Sequence, residues 1–109
     1  MLEKVTIDDF KKLHICSGII LEAKKVTGAD KLLCLRVDLN EKEPRQILSG
    51  IAEWHEPDQL IGKHVFVLAN LLPRTIRGLT SDGMILAAGD GKPVLLVPEE
   101  VIPAGSIVR

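Results

Sequence analysis

At 109 residues, 46% of them hydrophobic, the chain is long enough for one domain with a real core and too short for two. Its aliphatic content excludes disorder, and a net charge of −1 excludes a general polycation, so any anionic partner must be met by a local patch. No apolar run is long enough for a membrane span and no secretory leader opens the chain, which predicts a soluble, cytoplasmic protein.

Taken in chain order, the predicted elements are mostly strands. Thr6-Ile7-Asp8-Asp9 has the form of a capping box, so a short helix is expected from Asp8 to Leu13, with Ile7 and Phe10 facing inward. His14 to Val26 is a long strand interrupted by Gly18, the mark of a bulge or a sharp coil. After a turn at Thr27-Gly28-Ala29-Asp30, Leu33, Leu35, Val37 and Leu39 alternate with polar residues in a half-buried second strand. A charged loop from Asn40 to Pro44 leads to a third strand, Arg45 to Ile51. Glu56 to Gly62 has proline near its start and glycine at its end, the asymmetry of a short helix. His64 to Asn70, Asp82 to Ala88 and Val94 to Val97 complete the strands, and Phe10 and Phe66 are assigned to the core.

Three strands, a short helix and two more strands are the order of an all-β, five-stranded OB-fold barrel spanning residues 1–109 as one domain. A short amino-terminal helix and a carboxy-terminal β extension flank that barrel. The extension holds more apolar residues than a barrel needs, Leu95, Leu96, Val97, Val101, Ile102, Ile107 and Val108 among them. They either cover a barrel end or form a homodimer interface.

One segment stands apart in charge. From Gln59 to Ser81 there is no carboxylate, yet Lys63, Arg74 and Arg77 lie there. A cationic loop on a small barrel is the footprint of a phosphate-backbone binder. With only Phe10, Trp54 and Phe66 and no tyrosine, the chain lacks the aromatic platforms of single-strand binders. Backbone and 2′-hydroxyl contacts to structured RNA fit it better.

Several motifs, in order, resemble the tRNA-binding domain appended to methionyl-tRNA synthetases and its stand-alone relatives. They are Asp9-Phe10, Lys12-Leu13, Gly28-Ala29-Asp30-Lys31-Leu32, Val37-Asp38-Leu39, Gly50-Ile51-Ala52, Ala69-Asn70-Leu71, and Arg77-Gly78 followed by Ser81-Asp82-Gly83-Met84. The resemblance runs from about Ile7 to Arg109. Two departures are visible: Cys16-Ser17-Gly18 stands where Arg-Val-Gly is usual, and Thr75 where a basic residue is common. The resemblance implies a homodimer that binds tRNA by its outer shape and raises the affinity of an attached or associated synthetase. It implies no catalysis in this domain and no cofactor.

The residues assigned to tRNA binding on these grounds are Lys31, Asn70, Arg74, Arg77, Ser81 and Met84. Each has a plainer reading. The arginines can be solvated loop charges, Lys31 can pair with Asp30 or Asp38, Ser81 can be a turn hydroxyl, Asn70 can bond backbone, and Met84 can be core. His14, His55 and His64 lack metal-ligand spacing, and Cys16 and Cys34, without Cys-x-x-Cys spacing, read as buried free thiols. No nucleophile elbow or phosphate-binding glycine loop is present. The alternative from another class is a CsaA-type peptide-binding secretion chaperone, which shares the dimer. Against it stand Ser81-Asp82-Gly83-Met84, which that type has lost, and Gly28-Ala29-Asp30-Lys31-Leu32, where that type tends to be lysine-rich.

Overall fold

The alternation in the second strand sets the sheet. The computed structural model describes residues 2–109. A capped helix α1 (Ile7–Lys11) precedes β1 (Ile15–Val26) and β2 (Ala29–Asp38), an antiparallel pair in which Val26 faces Ala29 across the Thr27-Gly28 turn. β3 (Arg45–Ser49) pairs with β2, and α2 (Pro57–Leu60) leads into β4 (His64–Leu68). β5 (Arg74–Ile76) and β6 (Leu79–Ser81) form a hairpin of their own, followed by β7 (Met84–Ile85), β8 (Ala87–Ala88) and β9 (Val94–Leu95). The main sheet runs β3-β2-β1-β4-β7, an OB-like arrangement with the helix between the third and fourth strands.

β1 serves two partners. Ile15 to Ile19 pair with β4, and Ile19 to Val26 pair with β2. At the changeover sits Gly18, where a Cβ would lie 2.6 Å from Leu39 Cδ2 and 2.8 Å from Val37 Cγ1. Close approach of β2 therefore requires glycine. Ile20, Leu33, Leu35, Val37, Ile47, Leu60, Val65 and Val67 fill the interior. The turn after α2 is stitched onto β1: the Gly62 amide donates to Ile20 O (2.7 Å), and the Ile20 amide donates to Lys63 O (3.0 Å). Cys16 and Cys34 are buried free thiols, and burial pushes the Cys16 thiol up.

The seam between edge strands β3 and β7 is bridged just before β7. The Asp82 amide donates to Gln46 O (2.8 Å), and the Leu48 amide donates to the Ser81 hydroxyl (3.0 Å). A side chain thus substitutes for a backbone rung.

Several expectations are corrected. The helix runs from Ile7, and both capping-box bonds form between Thr6 and Asp9. Yet none of its residues is fully buried: Ile7 is 67% exposed, and only Phe10 is half-buried. Phe66 is half-buried; it shares its face of β4 with His64 and Leu68, while Val65 and Val67 take the core face. The third strand ends at Ser49, and Ile51 enters the core from a turn. Asp82 to Ala88 is two short strands in different sheets.

The tail docks through its backbone. The Ser17 amide donates to Ser106 O (2.9 Å), the Gly105 amide to Ser17 O (2.8 Å), and the Val108 amide to Ile15 O (2.8 Å). The buried Ser17 hydroxyl donates to Pro103 O and accepts from the Ser106 amide. This holds the chain against β1 while Val97, Val101 and Ile107 project outward.

Candidate nucleic-acid interface

The chain leaves the main sheet at Ala69 and re-enters it at Asp82, and one half-buried arginine holds both feet. Arg45, at the start of β3, has a side chain only 19% exposed. Its Nε and Nη2 donate to the two Glu41 carboxylate oxygens at 2.8 Å each. Its Nη1 donates to Ala69 O and reaches Asp82, with Asp82 O at 3.5 Å and Asp82 Oδ1 at 3.7 Å. A planar five-donor fork suits such a junction, and a lysine could not span it. The bidentate bond from Arg45 holds Glu41 below the usual carboxylate range. Sequence reasoning missed Arg45. Its only signal was an arginine opening a strand that otherwise feeds the core.

Asn70 sits beside the same foot. Its Oδ1 accepts from the His14 amide (2.8 Å) and its Nδ2 donates to Lys12 O (2.7 Å). Both ends of the amide are thus engaged with the backbone between α1 and β1. Ser81 is buried, accepting from the Leu48 amide and donating to Gly83 O (3.2 Å). Gly83 packs tightly there, since a Cβ would come within 3.3 Å of Ile47 Cδ1.

Between these feet the segment folds as a hairpin, not the loop expected from sequence. Ile76 faces Leu79 across a two-residue turn made by Arg77 (φ 54°) and Gly78 (φ 78°). Positive φ at both positions is the type I′ pattern, whose twist matches the flanking strands. Glycine meets it freely, whereas an arginine there costs about 1 kcal/mol. The hairpin tip thus presents Arg77 in a strained backbone, and such strain points to a functional position.

The hairpin and its foot line two adjoining clefts. One, a groove of about 300 Å³, holds Arg74, Ser81 and Met84 with Leu32, Leu71 and Leu72. The other, of about 370 Å³, brings Lys31 and Arg77 together over Gly28, Ala29 and Asp30. Leu32 lines both. Five of the six sequence-predicted residues therefore line these two clefts, and Asn70 follows Ala69 at the foot of the segment. Lys31 is exposed and reaches Glu53 at 4.0 Å, a solvent-screened pair that leaves it available.

The domain is small and OB-like, and three exposed cations, Lys31, Arg74 and Arg77, line its two adjoining clefts. Residues 4–107 match the family described as "Putative tRNA binding domain". The chain belongs to that family. It is 45% identical over 108 residues to the methionine–tRNA ligase of Methanocella arvoryzae, covering 99% of this chain and 16% of that protein. The chain thus spans about one sixth of the length of the curated relatives it matches. Among solved structures it resembles the MetRS-related protein of Pyrococcus horikoshii (TM-score 0.91, 33% identity, 99% and 100% of the two chains). The chaperone CsaA of Bacillus anthracis shares the fold (TM-score 0.88, 24% identity, 98% and 100% of the two chains).

Proposed function

We propose that this domain is a non-catalytic tRNA-binding module that grips folded tRNA through Lys31, Arg74 and Arg77. The observation that carries the proposal is the convergence of these three cations on two adjoining clefts, above a hairpin clamped by Arg45. Met84 contributes shape at the groove wall, and Ser81 and Asn70 hold the geometry without touching phosphate. The module raises the tRNA affinity of a methionyl-tRNA synthetase, either as its carboxy-terminal part or as a separate chain. Ligase chemistry belongs to the rest of such a protein.

The proposal includes a homodimer. Val97, Val101 and Ile107 on the docked tail, with Leu2, Val5 and Ile7 near α1, leave exposed apolar surface that a second copy covers. Two hairpins would then act on one tRNA.

Filter binding across a salt series tests the reading. Each phosphate contact adds roughly 0.7–0.9 to the log–log slope, so three contacts give about −2 to −3 per hairpin engaged. Folded tRNA should bind more tightly than an unstructured oligonucleotide of equal length. Equal affinity for poly-U would support a single-strand binder, and peptide binding without tRNA binding would support the chaperone alternative.

A further inference from the structure

The groove beside the hairpin is poorly explained by phosphate contacts alone. Its apolar lining includes Leu32, Leu71, Leu72 and Met84, and Arg74 is the one charged residue among those lining it. Leu72 is 84% exposed and Met84 42% exposed, large apolar groups held open within and just beyond the acid-free Gln59–Ser81 stretch. A solvated basic loop has no need of them, and a phosphate gains nothing from them.

We propose that this groove takes one unpaired nucleobase of the bound RNA, an inference that rests on the tRNA-binding reading above. About 300 Å³ is room for a purine with part of its ribose. Aliphatic side chains on opposing walls can sandwich a flat ring. Unpaired bases of folded RNA are the parts free to leave a stack and enter such a site. The charge layout suits the same ligand. Arg74 lines the groove, and the adjoining cleft with Lys31 and Arg77 shares Leu32 with it. A base seated between Leu32 and Met84 therefore leaves its flanking phosphates beside the cations.

The groove would be tolerant of base identity. The Ser81 hydroxyl is already committed to Leu48 and Gly83. Ser49 supplies a hydroxyl on the lining, and a hydroxyl both donates and accepts. Purines should bind better than pyrimidines through larger contact area, with little further preference. The site is thus a reader of unpairedness, which suits recognition of a folded shape.

The test has two arms. In the first, methyl NMR of the leucines and methionines is followed while AMP, and separately ribose 5-phosphate, is added. AMP should shift the Leu71, Leu72 and Met84 methyls, and ribose 5-phosphate should leave them in place. In the second, Leu72→Ser is measured in tRNA binding. Leu72 is exposed, so the variant should melt with the parent. Its tRNA affinity should fall about fivefold, the low end for one stacked base, with the salt slope unchanged. If the parent binds tRNA and Arg77→Ala weakens it, but AMP and Leu72→Ser are silent, the nucleobase site is overturned and the tRNA reading stands. If the parent binds no tRNA, that reading falls first. If Leu72→Ser lowers the dimer mass, a second copy occupies the groove and the inference is wrong. A hydrophobic peptide shifting these methyls while AMP does not would likewise overturn it.

Discussion

Arg77→Asn should stabilise the fold and weaken tRNA binding at once. Arg77 lies at φ 54° beside Gly78 at φ 78°, the two central positions of a type I′ turn. Asparagine followed by glycine is the preferred pair there, because its short side chain tolerates the left-handed region. Relief of the arginine's crowding should return about 0.5–1 kcal/mol. For a domain near this size that raises Tm by about 2–8 °C. Binding moves the other way. One phosphate contact carries a salt exponent of roughly 0.7–0.9, so at about 0.15 M salt its loss weakens binding about four- to sixfold. Calorimetry reads the first effect and filter binding across salt the second, where the slope should shallow by about one contact. Arg77→Lys separates the causes, since it keeps the charge and the strain. If Arg77→Asn binds tRNA as the parent does with an unchanged slope, Arg77 is only a solvated turn residue. If it melts lower, the turn is not strained by arginine.

Other substitutions probe the supports. Arg74→Ala should also shallow the salt slope, by about one contact, while Lys92→Ala in the distal hairpin should leave it alone. Ser81→Ala strands the Leu48 amide at the seam and should cost about 1–3 kcal/mol in denaturant unfolding, with the salt slope intact. Arg45→Met should return the Glu41 carboxyl to the ordinary glutamate range in an NMR titration. Because Glu41 is depressed in the fold, the stability it adds is present above about pH 4.3 and is lost as pH falls from there through its folded value. That acid-limb loss should vanish in Arg45→Met. Gly105→Ala would set a Cβ 2.6 Å from Leu39 O at a φ of +86°, so it should detach the tail from β1 and, if the tail forms the dimer face, lower the mass in light scattering.

The parts of the fold legible in the sequence were those with a strong local signal. Alternation in Leu33, Leu35 and Val37 marks β2, and proline and glycine bracket α2. The capping box of Thr6 and Asp9 is read correctly because it is wholly local. The burial of Ile7 and Phe66 is a tertiary matter that periodicity misjudges. The β5–β6 hairpin was hidden because Arg77-Gly78 lacks the usual asparagine, so its strands read as loop. The charge signal at Arg74 and Arg77 needed no geometry to be seen. Arg45 did: its meaning lies in contacts to Ala69 and Asp82, 24 and 37 positions away. Asn70 and Ser81 carry the family motif, yet their polar atoms are engaged with the protein backbone.

The low net charge bears on how such a module can work. Three cations worth about four- to sixfold each at about 0.15 M salt contribute on the order of 100-fold, roughly 3 kcal/mol. That is weak beside what a dedicated RNA binder needs, and the remaining surface, at a net charge of −1 overall, adds no general attraction. On the proposed function, the rest of the affinity comes from the apolar groove and from linkage. A second hairpin across a two-fold axis, or a synthetase body gripping the same tRNA, makes the next contact intramolecular and multiplies modest affinities. This predicts that a monomeric variant loses far more than half of the dimer's tRNA affinity, with a salt slope close to half the parent's. A monomer with the parent's slope would mean that one hairpin makes all the phosphate contacts, and linkage would then play no part.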